Sequence, residues 1–395
     1  MPATETKGYE PLTEETAIRL AERLRFFPEG AALSGREIGD GNLNYVFHIT
    51  DGSGKGVIIK QALPYAKVVG ESWPLTLKRA QIEADALKKH GEYAPGLVPE
   101  VYATDGPLAY TVMEDLSRLT VARAGLIDGE AYPKLSDDIG EYLARTLFHT
   151  SDFALHPFDK KRLAAAFSNP ELCKITEDLI FTDPFFDSDT NDFEEALRSD
   201  IEAIWQNPQV QLEAAKLKKS FMTEAEALLH GDLHTGSIFA SETETKVIDP
   251  EFAFYGPIGF DVGLFLANLV FQSITREGEG RETIHRHIGN TWKVFEERFK
   301  NLWDAHGTDP FRNTAGYRDF ILNKIFRDAI GFAGCELIRR TVGLAHVADL
   351  DGIKEGEVRV ARKRQALKTG EAFILQRGEL SSIQEVLVIV EANRP

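Results

Sequence analysis

One stretch near the middle of the chain, His230–Asp261, most constrains the fold, because it combines carboxylates with the turns needed to bring them together. Its first half places Asp232 at the end of an apolar run, next to a glycine that allows a tight backbone turn. Its second half is a short β-branched strand that ends in Asp249 and Glu251. The separation of Asp232 and Asp249 fits a strand, a turn and a return strand, so the sequence predicts a hairpin here.

The acidic residues of this hairpin suit phosphoryl transfer. In an extended chain, residues two apart project from one face, so Asp249 and Glu251 are expected to converge as a pair of oxygen ligands. Mg²⁺ prefers oxygen, takes few carboxylates and fills its remaining positions with water and phosphate oxygens. The alternative is structural: an aspartate after glycine usually forms a turn, and Asp-Pro-Glu after a strand usually begins a loop.

The charge of the chain limits the partners that it can bind. Its 395 residues include 45 lysines and arginines against 62 aspartates and glutamates, a formal net charge of −17. Such a chain repels nucleic acid and anionic membrane, so a small molecule is the expected partner. Its two cysteines, Cys173 and Cys335, are too few for a disulfide framework. No apolar run approaches the roughly 18 residues that span a bilayer, and the start lacks a signal-peptide pattern. The sequence predicts a cytoplasmic protein without nucleic-acid or membrane partners.

The amino-terminal part has the pattern of a small nucleotide-binding sheet. A run at 36–49 has strand-like ends around glycine, aspartate and asparagine, which predicts a hairpin whose tip can present backbone N–H groups to phosphates. The strand at 57–61 carries Lys60, and the helical segment at 75–90 carries Glu83. We interpret Lys60 as a phosphate anchor and Glu83 as its partner. An ordinary turn and an edge-strand lysine that discourages aggregation are the alternatives.

Helical periodicity dominates the rest of the chain. Residues 158–205 read as a helical insertion with an exposed acidic loop and no assigned chemistry. The predicted helices are 12–25, 75–90, 136–150, 259–271, 282–304, 316–345 and 355–376.

The segments HGDLHTGS (230–237) and DPEFAFYGPIGFD (249–261) resemble the catalytic loop and metal strand of the aminoglycoside phosphotransferase and choline kinase branch of protein-kinase-like proteins. Within that branch they are similar to the methylthioribose kinases, and the resemblance spans essentially the whole chain. It implies that Asp232 orients and deprotonates the attacking hydroxyl, and that Asp249 and Glu251 hold Mg²⁺. Ser237 stands where the branch usually has asparagine, so it is expected to be a weaker metal ligand.

The same resemblance implies further site residues. A tryptophan loop and a pair of arginines near a helix end are expected to contact the sugar, although two arginines there also fit a solvated helix terminus. The nucleotide residues are Gly39, Asp40, Gly41, Asn42, Asn44, Lys60, Glu83, Glu114 and Leu116, and the substrate residues are Asp232, Trp73, Arg339 and Arg340.

These observations together predict an α+β, bilobal protein-kinase-like fold. Residues 1–116 form a small antiparallel β lobe that binds the nucleotide, the hinge lies at about 113–117, and residues 117–395 form a large, mainly helical lobe with the catalytic hairpin and the sugar site. The implied reaction uses ATP and Mg²⁺ to phosphorylate the anomeric hydroxyl of 5-methylthioribose in methionine salvage, and the implied assembly is a homodimer. The alternatives are a kinase of choline, homoserine or an aminoglycoside, and a nucleotide-binding pseudokinase.

Overall fold

The computed structural model describes residues 8–39, 43–66 and 70–394. These residues form two compact units. The first contains the described residues up to Leu119 together with Lys246–Ala253, and the second contains Thr120–Thr245 and the chain from Phe254 onward. The short segment that follows the return strand of the hairpin therefore packs with the amino-terminal part of the chain, from which it is distant in sequence.

The first unit is built on an antiparallel sheet. Five of its strands pair in the order β1-β2-β3-β7-β6, and β4 pairs with β5 separately. Its elements are α1 (Glu14–Arg23), β1 (Leu33–Glu37), β2 (Asn44–Asp51), β3 (Gly56–Ala62), β4 (Tyr65–Ala66), β5 (Gly70–Pro74), α2 (Lys78–Tyr93), β6 (Val101–Asp105) and β7 (Tyr110–Glu114).

Alternation along the central strands explains the core of the first unit. On β2, Phe47 and Ile49 are buried, and on β3 the corresponding residues Val57 and Ile59 face the same way. The apolar face of α1 covers this layer, with Leu20 among its buried residues. This packing fixes the register of β3, and so it fixes the position of the lysine that β3 carries.

The second unit is mainly helical. Its helices are α3 (Ala122–Asp128), α4 (Leu135–His149), α5 (Pro157–Ala166), α6 (Pro170–Leu179), α7 (Arg198–Trp205), α8 (Pro208–Thr223), α9 (Gly259–Ile274), α10 (Gly278–His306), α11 (Tyr317–Val342), α12 (Ala348–Asp351), α13 (Gly356–Gln376) and α14 (Ile383–Ala392). Its short strands are β8 (Thr120–Val121), β9 (Ala227–Leu228), β10 (Ile238–Ala240) and β12 (Tyr255–Gly256), while β11 (Thr245–Val247) crosses the boundary between the units.

Helix α9 forms the centre of the second unit, since every one of its residues is buried. Glycines let its neighbours approach closely. A Cβ at Gly263 would lie 2.4 Å from the Ala329 carbonyl oxygen of α11, and a Cβ at Gly334 of α11 would lie 2.7 Å from the Gly370 carbonyl oxygen of α13. Side chains there would push the helices apart, so these glycines set the position of α11, whose last turn carries Arg339 and Arg340.

Most of the predicted architecture is confirmed. The α+β class holds, with a small antiparallel sheet in one unit and a mainly helical second unit, and the predicted helices correspond to α1, α2, α4, α9, α10, α11 and α13. Within the catalytic hairpin, β10 and β11 are the two strands, and β9 pairs instead with β12. Among the described residues, no helix is both long enough and apolar enough to cross a membrane.

The close crossing of α11 and α13 predicts a position-dependent effect of added methyl groups. Gly334→Ala should lower the free energy of unfolding by about 1–3 kcal/mol, because the new methyl group meets backbone atoms that cannot move away. Gly289→Ala in α10 is the matched control, since a Cβ there meets nothing within 4 Å and should stabilise the helix by about 0.5–1 kcal/mol. Denaturant unfolding of both variants measures the difference, and equal effects would contradict the crossing.

Candidate functional site

The loop that carries Asp232 is braced by a buried carboxylate. Gly231 adopts a left-handed φ of 85°, which turns the chain out of the buried strand β9. The backbone N–H groups of His230 and Gly231 then donate to the two carboxylate oxygens of Asp261, at 2.6 and 3.0 Å. Asp261 is buried in the first turn of α9. The most buried helix of the second unit therefore fixes the start of this loop.

Asp232 faces two buried arginines. The Nη2 atoms of Arg339 and Arg340 lie 3.5 and 3.6 Å from its Oδ1 atom, and His234 Nε2 lies 3.4 Å from its Oδ2 atom. Glu336, one turn earlier on α11, accepts from Nε of both arginines at 2.6 and 2.8 Å. The arginine side chains are only 7% and 8% exposed, so they are not a solvated helix terminus.

This arrangement keeps its carboxylates ionised. Burial alone would raise the pKa of Asp232, but His234 and the two guanidinium groups outweigh it and lower that pKa well below its usual range. Burial would likewise raise the pKa of Glu336, and the same arginines lower it. Burial lowers the pKa of His234 in spite of its acidic neighbour. At neutral pH the site therefore holds an ionised Asp232, 29% exposed, within reach of two fixed positive charges.

A second charged cluster lies in the first unit, around Lys60. The Lys60 Nζ atom, at the buried end of β3, lies 2.8 Å from Glu83 Oε1 on α2 and also contacts Asp249 Oδ1. The strand and the helix that the sequence analysis paired are therefore joined by the expected ion pair. The Asp249 side chain is 45% exposed, so its carboxylate remains accessible to a ligand.

The residues around Asp249 do not have the expected extended backbone. Strand β11 ends at Val247, Asp249 has a left-handed φ of 69°, and Pro250–Phe252 form a 3-10 helix. The expectation that Asp249 and Glu251 project from one face of a strand is therefore wrong in its geometry. Glu251 instead accepts from Arg79 Nη1 at 2.6 Å and from Asn44 Nδ2 at 3.2 Å. Burial would raise the pKa of Glu251, and the charges of Arg79 and Lys60 lower it.

Gly39, Glu114 and Leu116 were also predicted to bind the nucleotide. Gly39 is described, with a left-handed φ of 113°, whereas Asp40, Gly41 and Asn42 lie outside the described residues. Glu114 ends β7, and its carboxylate contacts Arg118 Nη2 at 2.8 Å and Lys246 Nζ at 3.2 Å. Leu116 is buried, and its carbonyl oxygen accepts from Leu119.

Ser237 and Trp73 were also predicted as site residues. Ser237 is buried, and its hydroxyl accepts from the His234 backbone N–H at 3.0 Å and donates to the His234 carbonyl oxygen at 2.9 Å. That hydroxyl therefore stabilises the loop after Asp232. Trp73 lies in β5, and its side chain is outside the described part of the structure.

Two residues that organise these clusters, Glu336 and Arg79, were not predicted from the sequence. Glu336 stands three and four residues before the arginine pair, the spacing that places side chains on one face of a helix, so the signal was present. Arg79 reaches Glu251 across a long separation in sequence, and nothing in its local pattern indicates that contact.

A cavity of about 950 Å³ lies among α4, α10, α11 and α14 in the second unit. Its apolar wall includes Trp292 and Phe326, and its polar lining includes His287 and Asn290, which both hydrogen-bond to Ser136. None of the predicted site residues lines this cavity.

Comparison with known proteins identifies the family. The family model described as "Phosphotransferase enzyme family" matches residues 34–297. A methylthioribose kinase from a Geobacillus species is 59% identical over 98% of this chain and 97% of the relative. The methylthioribose kinases of Geobacillus thermodenitrificans and Bacillus pumilus are 58% and 55% identical, over 100% and 99% of both chains. The chain belongs to the methylthioribose kinase group of the phosphotransferase enzyme family. The resemblance found in the catalytic hairpin is thereby confirmed.

Solved structures add only a distant likeness to this methylthioribose kinase family assignment. A choline kinase from Cryptosporidium parvum covers 95% of this chain and 98% of its own, with 13% identity and a TM-score of 0.47. The family assignment therefore depends on the sequence matches, which also support the predicted protein-kinase-like fold.

The bracing of the catalytic loop predicts a pH-dependent contribution to stability. Burial raises the pKa of Asp261 to about 7, above the ordinary aspartate value of 3.8, so between these values the folded state binds the proton that the unfolded state has released. The part of the free energy of unfolding due to Asp261 is full below about pH 4 and is lost as the pH rises through about 7.

Denaturant unfolding of the wild type and Asp261→Asn, at pH 5 and at pH 8, measures this contribution. The stability of the wild type relative to the variant should be larger at pH 5, by about 2–3 kcal/mol if the shift is realised in full. The same relative stability at both pH values would contradict the raised pKa.

Proposed function

We propose that the protein transfers the γ-phosphate of ATP to the anomeric hydroxyl of 5-methylthioribose, giving 5-methylthioribose 1-phosphate in methionine salvage. The observation that carries this proposal is the ionised Asp232 facing two buried arginines on α11, in a chain that is 59% identical to a methylthioribose kinase over almost its full length. In this proposal the second unit binds the sugar.

The surroundings of Asp232 define its role. Its Oδ atoms accept the hydrogen bond of the anomeric hydroxyl, and the proton passes to this carboxylate as the new O–P bond forms and the bond to ADP breaks. A carboxylate with a lowered pKa is a weak base, so its main contribution is orientation. That suffices for a loose phosphoryl-transfer transition state, in which the attacking oxygen needs little activation. The guanidinium groups of Arg339 and Arg340 donate to sugar hydroxyls and offset the charge that develops.

The first unit is the proposed nucleotide-binding lobe. The Lys60–Glu83 ion pair holds the lysine ammonium in place for the phosphates, and backbone groups at Glu114 and Leu116 bind the adenine. The residues predicted from the sequence to cover the phosphates are Gly39, Asp40, Gly41, Asn42 and Asn44. The lysine alone would suit many anion sites, but its pairing with a glutamate on α2 supports the kinase arrangement.

The residues at 249–251 fit a Mg²⁺ site in which the protein supplies only one or two carboxylates. Asp249 offers an accessible carboxylate, and Glu251 follows it in the turn. Within the described residues no group of three or more acidic, histidine or cysteine side chains forms a metal cage. Mg²⁺ in nucleotide sites needs only one or two carboxylates, because phosphates and water supply the rest. Bound there, the metal would neutralise phosphate charge.

The remaining parts of the proposal have other support. The net charge of −17 supports a small-molecule substrate and the absence of nucleic-acid and membrane partners. A homodimeric assembly and a cytoplasmic location stay predictions, made from the family resemblance and from composition.

Substrate choice is tested by measuring ADP release with purified protein, MgATP and a panel of acceptors. Methylthioribose should be the preferred acceptor, and phosphorus NMR of the product should locate the phosphate on the anomeric oxygen. Preferred turnover of choline, homoserine or an aminoglycoside would reassign the substrate. Nucleotide binding without turnover of any acceptor would indicate a pseudokinase.

Removal of the Asp232 carboxylate should separate catalysis from nucleotide binding. Asp232→Asn should reduce kcat by about 10²–10⁴, because the attacking hydroxyl loses its charged acceptor. The affinity for MgATP, measured by calorimetry, should change little, since the carboxylate is assigned to the sugar. Near-normal turnover in this variant would remove Asp232 from the catalytic role.

The arginine pair distinguishes a sugar site from a structural cluster. Arg339→Lys and Arg340→Lys keep the charge but lose the planar fork, so each should lower kcat/KM for methylthioribose about ten- to a hundred-fold, equivalent to roughly 1.5–3 kcal/mol. ATP affinity should persist in both. Arg318→Lys, a change at a partly exposed arginine of the same helix that contacts Asp304, is the matched control and should leave kcat/KM unaltered. Wild-type efficiency in both arginine variants would remove them from the substrate site.

A further inference from the structure

Arg79, in the first turn of α2, is completely buried, although it was not among the expected site residues. Burying a guanidinium group is costly unless hydrogen bonds and an opposite charge compensate. Its Nε atom has no hydrogen-bond partner in the described part of the chain, which adds to that cost. The remaining nitrogens must therefore make contacts strong enough to hold the side chain in this place.

Those contacts join three separate segments of the first unit. Nη1 donates to Glu251 Oε2 at 2.6 Å and to Asn44 Oδ1 at 2.7 Å. Nη2 donates to the Leu63 carbonyl oxygen at 2.8 Å and also to the Leu43 carbonyl oxygen. Asn44 Nδ2 in turn donates to Glu251 Oε2 at 3.2 Å, which closes a triangle of side chains.

Each of these segments borders a part of the proposed MgATP site. Leu43 and Asn44 lead from the predicted phosphate-covering tip into β2, and Leu63 follows β3, the strand that carries Lys60. Glu251 lies in the 3-10 turn directly after Asp249. One guanidinium group therefore links the base of the phosphate hairpin to the proposed metal turn.

We propose that Arg79 is a positioning residue for Mg²⁺: it orients the Glu251 carboxylate and couples the metal turn to the hairpin that covers the phosphates. This inference rests on the proposed function, in which Asp249 and Glu251 serve the metal. Arg79 itself does not touch the nucleotide. It acts through Glu251 and Asn44, in the manner of the outer residues that hold metal ligands in a fixed orientation.

The chemistry of the contacts explains why arginine is needed. Four acceptors on three segments are reached by two nitrogens of one planar group, a pattern that the single ammonium of lysine cannot reproduce. The charge also matters. Among the described residues, the three carboxyl groups of Glu83, Asp249 and Glu251 contact only two basic groups, Lys60 and Arg79, an arrangement that suits an added cation.

The test measures how ATP raises the melting temperature as the Mg²⁺ concentration is varied, and separately with EDTA. In Arg79→Lys, the Mg²⁺ concentration for the half-maximal shift should rise about 10- to 100-fold. The shift with ATP and EDTA should change much less, because the metal-free nucleotide uses the phosphate hairpin but not Glu251. An unchanged Mg²⁺ requirement in a folded Arg79→Lys protein would overturn the proposal, even if its melting temperature falls.

Two further comparisons separate positioning from general destabilisation. Lys88→Met removes an exposed charge from the same helix and should alter neither measurement. Glu251→Gln should also raise the Mg²⁺ requirement. Combining it with Arg79→Lys should have little additional effect, because both substitutions act on the same carboxylate, that of Glu251. Fully independent effects in the double variant would contradict action through Glu251.

Asn44→Ala is the deciding variant if Arg79→Lys does not fold. It removes two of the three bonds of the triangle but keeps the Arg79–Glu251 ion pair, so no buried charge is left unpaired, and it should raise the Mg²⁺ requirement in the same direction. An unchanged requirement would overturn the proposal. Failure of the proposed function is distinguishable from all of these results, since it appears as a wild-type protein that does not phosphorylate methylthioribose while its thermal response to MgATP persists.

Discussion

Burying the two positive charges at the end of α11 is costly unless opposite charges lie beside them. Arg339 and Arg340 lie side by side with almost no exposed surface, and two adjacent guanidinium groups would repel each other there. Glu336 contacts both but offsets only one of the two charges. The remaining positive charge is directed at the Asp232 carboxylate, so the four groups together are close to neutral. Because the arginines are buried, water screens their charges less, and the close packing at Gly263 and Gly334 sets the position of α11 on which this burial depends.

The first unit has a different ratio of charged groups. In its described part, the cluster around Lys60 has three carboxyl groups and two basic groups, whereas Arg339 and Arg340 of α11 contact two carboxylates. A metal that carries phosphates suits the first arrangement, and a neutral sugar hydroxyl that becomes a phosphate ester suits the second. In the proposed function, these two clusters would serve the metal-bound nucleotide and the sugar, respectively.

The sequence predicted site residues whose pattern lies within a single strand or helix, and it did not predict those that depend on contacts between distant segments. Lys60 and Glu83 were found because each lies on a single element with a clear period, and their ion pair needed only the expected neighbours. The left-handed backbone of Asp249 could not be found, because an aspartate before proline gives no local indication of a positive φ. Arg79 was missed for a related reason. It contacts residues that are distant in sequence, and the periodicity of α2 gives no indication of those contacts.

The left-handed backbone of Asp249 places conformational strain at a residue of the proposed metal site. A left-handed conformation costs a non-glycine residue roughly 1–2 kcal/mol, and the following Pro250 further narrows the conformations open to Asp249. Glycine would relieve the strain but would remove the carboxylate that Lys60 contacts. The turn is held instead by the bond from the Ala253 N–H to the Pro250 carbonyl oxygen and by the anchoring of Glu251 to Arg79. The buried charge on α2 therefore stabilises a strained turn that leaves the Asp249 carboxylate accessible, the condition that a metal-bound nucleotide requires.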